Sequence, residues 1–174
     1  GNLTVLPRGG APKDTFAFDT GPGNMVMDRL TERLTGGRLR YDEGGRLAAQ
    51  GQVRDSLLAW MLRDPYLQKK PPKTTGREYY GRDYVDRLTA QADTLGVSPL
   101  DALATATRFT AECVKTAIER FCLPRPEELI IGGGGSRNPT LLRFFRQLLP
   151  MPVLLNEDLG LDGDAKEAVD FAIL

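Results

Sequence analysis

The 174-residue sequence contains no histidine. This absence excludes a His-based nucleophile triad, a histidine general base and any metal site with His ligands. Acid–base chemistry must therefore use carboxylates, Lys, Tyr or Cys. The two cysteines, Cys113 and Cys122, lie too far apart on one predicted helix to form a disulfide. We expect both to be reduced core residues, as is usual in the cytoplasm.

Neither sign of charge is in excess, because 23 basic side chains balance 23 acidic ones. This balance disfavours nucleic acid and anionic lipid as partners. No apolar run approaches the roughly 20 residues that span a bilayer, and no export pattern opens the chain. We therefore expect a cytoplasmic protein without a membrane partner. Because an initiator Met is missing and both ends fall inside predicted elements, we also expect a lobe of a longer protein.

The spacing of apolar residues predicts an α/β fold. Two β-prone runs joined by a Gly/Pro-rich loop predict a hairpin over residues 3–6 and 15–18, and further short strands are predicted before the four glycines and at 152–155. Helical periodicity predicts helices over 27–34, 47–62, 98–122 and 139–149, and another from 164 onward. The polar, proline-containing segment 64–81 is predicted to be a long loop. The helix from Ser98 carries a face of small residues that could pack closely against a sheet.

The stretch FAFDTGPGN places Asp19 between a strand and a glycine turn. α/β sheets present functional groups at such positions, where a carboxylate can take a proton from water or a hydroxyl. A purely structural alternative is that Asp19 accepts hydrogen bonds from the amides of the Thr20-Gly21 turn. The spacing alone does not decide between these two interpretations.

The stretch GGGGSRN, residues 132–138, lies between a predicted strand and a helix that starts at Asn138-Pro139. Glycines there let the backbone approach a ligand and direct free amides and the positive helix end at an anion. The pattern matches neither the dinucleotide fingerprint nor the P-loop. Tight strand–helix packing is an equally good explanation of the glycines.

Two other groups of charged residues have ordinary structural explanations. Asp164 and Glu167 are spaced as a helix N-cap and its reciprocal partner. Lys73, Arg77 and Glu78 could form a clamp on an acidic substrate, but a solvated charged loop is the more common outcome.

Four motifs together resemble one known family. FDTGPGNMVMD, DPYLQKKPPKTTGREYY, GGGGSRNPTLL and LGLDGDAKEAVDFA occur in this order and at these distances. They closely resemble the C-terminal half of anhydro-N-acetylmuramic acid kinases, of the sugar-kinase and actin-like ATPase superfamily. The resemblance covers essentially all 174 residues.

The resemblance implies a ribonuclease-H-like lobe, with a mixed sheet flanked by helices and with helical and loop insertions. It implies an enzyme that uses ATP and Mg²⁺ to open 1,6-anhydro-N-acetylmuramic acid with water while phosphorylating O6, in peptidoglycan recycling. By this resemblance Asp19 is the general base, with Thr20, Gly21 and Glu167 near the sugar. Residues 133–135 and Asn138 are implied to face the nucleotide, and no residue is assigned to bind a metal directly.

The resemblance also implies that part of the active site lies elsewhere. The M-S-G-T-S-type phosphate loop and the sugar-binding Arg of the family's N-terminal half do not occur here. We therefore interpret residues 1–174 as a C-terminal lobe, inactive alone, whose partners are the sugar, its own N-terminal lobe and, as an option, a second copy in a homodimer. Two rival interpretations are a non-catalytic nucleotide-binding lobe and a sugar kinase in which Asp19 deprotonates a hydroxyl.

Overall fold

The computed structural model describes residues 1–7, 9 and 11–160. Over these residues it contains four strands, β1 (Asn2–Val5), β2 (Phe16–Asp19), β3 (Leu129–Ile131) and β4 (Val153–Leu155), and five α-helices, α1 (Met25–Leu34), α2 (Asp55–Leu62), α3 (Arg82–Thr94), α4 (Pro99–Phe121) and α5 (Pro139–Leu148). The predicted last helix, with Glu167, lies outside the described residues. The mixed content of helices and small sheets agrees with the predicted α/β class.

Helix α4 is the centre of the packing. The Ser98 hydroxyl accepts a hydrogen bond from the Asp101 N–H at 3.2 Å, and Pro99 occupies the first helical position, as the sequence predicts. The predicted small-residue face is buried, but α4 packs chiefly against helices α1, α2 and α5 rather than against a sheet. Small side chains allow this because they let several helices approach one helix closely.

The strands form two small sheets within the described part of the chain. Strands β1 and β2 pair antiparallel with Asn2 opposite Asp19, which confirms the predicted hairpin. Strands β3 and β4 pair parallel, with α5 between them in sequence, so this region is a strand–helix–strand unit. The described residues therefore do not join these strands into the single mixed sheet that we expected.

Two helix predictions need correction. The segment 47–62 is helical only over α2 and a short 3₁₀ turn at Ala48–Gln50. Gly51 interrupts the predicted helix. A Cβ on Gly51 would collide with the Leu100 carbonyl oxygen, so a glycine is needed for the chain to cross α4 closely. Helix α3 was not predicted, because most of its positions are polar. Its buried residues are only Tyr84, Val85, Leu88 and Ala92, which give a weak helical pattern in the sequence.

The cysteine prediction is confirmed: Cys113 and Cys122 are buried and free. The position of Cys113 in the core also explains why residue 21 is a glycine, because a Cβ atom on Gly21 would lie 2.9 Å from the Cys113 sulfur. In the described ranges, no helix is both long and apolar enough to cross a membrane.

Candidate active site

Asp19 is the last residue of β2, and hydrogen bonds hold its backbone on both sides. Its N–H donates to the carbonyl oxygen of Lys73 at 3.0 Å. The hydroxyl of the buried Tyr66 donates to the Asp19 carbonyl oxygen at 2.9 Å. The segment that the sequence predicted as a long loop therefore docks against the end of β2.

The same segment holds the Asp19 carboxylate. Its Oδ2 accepts hydrogen bonds from the Thr74 hydroxyl and from the Thr75 N–H, both at 2.9 Å. Its Oδ1 accepts a longer bond, 3.3 Å, from the Asn2 side-chain amide across the hairpin. These contacts do not show the structural alternative raised from the sequence, in which the carboxylate accepts hydrogen bonds from the Thr20-Gly21 amides. The Thr20 N–H donates to the Gly1 carbonyl oxygen instead.

These contacts set the charge of Asp19. Partial burial opposes ionisation, but the bonds from the Thr75 N–H, the Thr74 hydroxyl and the Asn2 amide outweigh it and hold the pKa of Asp19 below its ordinary value. The residue is half-buried and so is not closed off from solvent. Near neutral pH it is therefore an ionised, oriented proton acceptor.

The segment around Lys73 is anchored by aromatic rings. The Lys73 ammonium lies 4.7 Å from the ring centroid of Tyr66 and 5.3 Å from that of Phe121. The buried Asp64 carboxylate accepts bonds from the Tyr66 N–H at 2.9 Å and the Tyr79 hydroxyl at 2.6 Å. Burial, with the charge of Asp19 adding to it, raises the pKa of Tyr66 to about 12, so this hydroxyl stays a donor.

The two residues after Asp19 are buried. The Thr20 hydroxyl donates to the Gly1 carbonyl oxygen at 3.0 Å. Gly21 packs against Cys113 of α4, where a larger residue would collide. In the structure both residues fix the path of the turn next to Asp19, and their predicted contact with a sugar stays a prediction.

The glycine-rich stretch forms a 3₁₀ turn, Gly133–Arg137, between β3 and α5. Gly133 has a φ of +70° and has open space where a Cβ would point. A Cβ on Gly134 would lie 3.2 Å from the side-chain amide nitrogen of Asn24, the last residue of the DTGPGN motif. The fold thus brings the Asp19 turn and the glycine loop together, although more than 100 positions separate them in the sequence.

Asn138 has a clear structural role. Its side-chain oxygen accepts a bond from the Leu141 N–H at 3.0 Å and so caps α5, and the residue is only 8% exposed. The same oxygen packs against Gly45, where the Thr140 hydroxyl also donates to the Gly45 carbonyl. Asn138 therefore fixes the end of the glycine loop, and its predicted position facing a nucleotide stays a prediction.

Sequence reasoning did not identify most residues that hold Asp19, namely Asn2, Tyr66, Thr74 and Thr75. The Thr-Thr pair was visible, but nothing in its local pattern indicated a partner. A further carboxylate, Asp28 of α1, also escaped notice; burial raises its pKa to about 6, opposed by the positive charge of Arg77. In the part of the chain that the structure describes, no cluster of three or more carboxylates or thiols could hold a metal by itself.

Comparisons with known proteins indicate one family, and the match extends along the whole chain. A family model described as anhydro-N-acetylmuramic acid kinase matches residues 1–174. A curated protein named anhydro-N-acetylmuramic acid kinase from Caldanaerobacter subterraneus is 48% identical, over 100% of this chain and 45% of the relative. A protein of the same name from Salinibacter ruber is 47% identical, over 99% of this chain and 44% of the relative. A relative of the same name from Clostridioides difficile is 39% identical, over 100% of this chain and 45% of the relative. The chain thus spans slightly less than half the length of these relatives.

Proposed function

Because the chain belongs to the anhydro-N-acetylmuramic acid kinase family, we propose that it is part of an ATP-dependent kinase acting on 1,6-anhydro-N-acetylmuramic acid. The observation that carries this proposal is the meeting, at Asn24, of the Asp19 turn and the glycine loop. One lobe would then present a proton acceptor and a phosphate-facing loop to the same space. The product would be N-acetylmuramic acid 6-phosphate, an intermediate of peptidoglycan recycling in the cytoplasm.

We propose that residues 1–174 form the C-terminal lobe, in the ribonuclease-H-like arrangement of the actin-like ATPases. The share of the relatives that the chain covers, about 45%, leaves room for a second lobe of similar size. The α/β content and the parallel β3–β4 unit are compatible with this fold. A two-lobed kinase would close the sugar and the nucleotide between its lobes.

Asp19 would act as the general base. Water would attack the anomeric carbon and lose a proton to the carboxylate, while the bond from that carbon to O6 breaks and O6 accepts the terminal phosphoryl group of ATP. The Oδ1 atom is the better candidate to receive the proton, since its bond from Asn2 is long whereas Oδ2 accepts two bonds at 2.9 Å. Thr20 and Gly21 would shape the sugar side of this turn, and Glu167 would supply a second acid near the sugar.

The glycine loop would face a nucleotide phosphate. Gly133 faces open space with a backbone conformation that disfavours side chains, whereas Gly134 and Gly135 pack against Asn24, where a Cβ on Gly134 would come within 3.2 Å of the side-chain nitrogen. Residues 133–135 would hold the phosphates, with Asn138 fixing the loop, and ATP would supply the phosphoryl group. Mg²⁺ commonly binds one or two carboxylates together with substrate phosphates, so we expect ATP itself to provide most of its ligands.

The test uses the full-length kinase that contains this chain, with ATP and the anhydro sugar in ¹⁸O-labelled water. We expect one ¹⁸O atom at C1 of the 6-phosphorylated product. Turnover without label at C1 would instead indicate a kinase that phosphorylates a hydroxyl directly. ATP binding without any sugar-dependent turnover would indicate a non-catalytic nucleotide-binding protein.

A further inference from the structure

We propose that Thr74 is a positioning residue, whose hydroxyl holds the Asp19 carboxylate in the orientation needed for proton transfer. The inference rests on the proposed function, because it assigns Asp19 the role of base. It adds a role for Thr74, to which the sequence analysis assigned none.

The geometry shows that Asp19 is held from this one segment at several atoms. Lys73 accepts from the Asp19 N–H, Thr74 donates to Oδ2, and the Thr75 N–H donates to the same oxygen. Three consecutive residues thus lie alongside the end of β2 in fixed register. The interaction joins positions 55 apart in sequence, so it belongs to the folded site and not to a local turn.

An aspartate carboxylate needs such contacts in order to point in one direction. Rotation about its terminal Cβ–Cγ bond is broad and has no sharply preferred staggered position. Two hydrogen bonds to Oδ2 restrict this freedom and leave Oδ1 with only the longer bond from Asn2. Thr75 contributes through its backbone, so Thr74 is the donor to Oδ2 that a side-chain substitution can remove.

The anchoring of Lys73 makes the position of Thr74 reproducible. The Lys73 ammonium lies against the Tyr66 and Phe121 rings, and the Tyr66 hydroxyl in turn donates to the Asp19 carbonyl oxygen. The Thr74 side chain itself is exposed. Its ordering is therefore explained by the bond to Asp19 and not by burial.

Loss of the Thr74 hydroxyl should have two opposing effects on the base. The pKa of Asp19 should rise, because one donor to the charged form is gone, and a more basic carboxylate accepts a proton slightly more readily. With one of the two bonds to Oδ2 gone, the bonds from the Thr75 N–H and Asn2 should orient the carboxylate less firmly, and misplacement by about 1 Å can cost about 10²-fold in rate. Orientation is the larger effect, so the net result should be a slower reaction.

The experiment compares Thr74→Val, Thr74→Ser and the control Thr94→Val in the full-length kinase. Thr94 is also an exposed threonine, but its hydroxyl bonds the Ala90 carbonyl within α3. We expect Thr74→Val to lower kcat about 10-fold or more with the KM values for sugar and ATP nearly unchanged. The acid limb of its kcat/KM profile should move to higher pH. Thr74→Ser should restore most of the rate, and Thr94→Val should match the wild type.

The outcomes separate this inference from the proposed function. If Asp19→Asn abolishes activity but Thr74→Val changes neither kcat nor the acid limb, the inference about Thr74 is overturned and the base assignment stands. A raised KM for the sugar at unchanged kcat would also overturn it, because Thr74 would then bind substrate. If Asp19→Asn stays active, the base assignment itself fails.

Discussion

Asp19 shows how neutral donors can orient a carboxylate and still leave it able to accept a proton. The donors seen in the structure are a hydroxyl, a backbone N–H and a side-chain amide. A direct ion pair would lower the pKa of a carboxyl by about 1–3 units and would make it a weaker base. Neutral hydrogen bonds also lower the pKa, but they fix the direction of the group, and the 3.3 Å bond leaves Oδ1 the less strongly bonded oxygen, which suits a general base.

The substitution Asp19→Asn in the full-length kinase tests this assignment. Asparagine keeps the size of the side chain and an acceptor oxygen for Thr74, but it cannot take up a proton. General-base assistance is typically worth about 10²–10⁴-fold, so kcat should fall by about that factor with little change in substrate binding or melting temperature. Sugar-dependent ADP release should fall equally. A variant that keeps more than about a tenth of the wild-type kcat would refute the assignment.

At the scale of elements, the sequence predicted those parts of the fold that depend on local signals. The hairpin, α1, α4 with its Ser98 cap and the β3–α5–β4 unit follow from turn residues, caps and apolar spacing. Gly51 explains the misjudged segment 47–62, because a close crossing of α4 leaves no mark in local periodicity. The contacts of Asp19 with the segment 73–75 could not be predicted for the same reason, since they are purely tertiary.

The glycine loop can be tested with a matched pair of substitutions. Gly133 and Gly96 have φ angles of +70° and +64°, and at neither residue would an added Cβ have another atom within 4 Å. Alanine at either site should therefore cost about 1 kcal/mol of stability. Only Gly133→Ala should raise the KM for ATP, by about tenfold, because its loop faces the proposed phosphates. Equal KM values in the two variants would show that the loop is only a packing turn.

The start of α4 gives a prediction about pH. Bonds from the Gln52 N–H at 2.8 Å and from Arg54 lower the pKa of Asp101. A carboxyl whose folded-state pKa is depressed stabilises the fold above its unfolded value, about 3.9, and loses this effect as pH falls through the folded value. Asp101→Asn should therefore cost about 1–3 kcal/mol at pH 7, and this cost should shrink as the pH falls below about 3.9 toward the folded-state pKa, measured by urea unfolding. Asp93→Asn, on the exposed side of α3, is the control; a loss independent of pH would contradict the prediction.

At the scale of the whole molecule, the helices supply most of the core and the sheets are small. The largest fully buried side chains include Tyr66 and Tyr80, in the segment 64–81, and Phe109, in α4. In the described residues each sheet has two strands, and such small sheets depend on packing against other elements for stability. Strand edges left open in this way can also pair with further strands. The helical core should hold the chain together, while the sheets should gain from the proposed second lobe.

The isolated 174-residue chain should therefore fold but be inactive. Its helical core predicts a cooperative thermal transition by circular dichroism, whereas the phosphate loop and sugar-binding Arg that the family resemblance places in the other lobe are not in this sequence. We expect no sugar-dependent ADP release from the chain alone and a lower melting temperature than that of the full-length kinase. Adding the proposed other lobe as a separate polypeptide should raise the melting temperature of the chain, because a partner that binds only the folded form stabilises it by mass action. Turnover by the chain alone would show that its described site is complete, and an absence of any cooperative transition would show that the helical core depends on the other lobe.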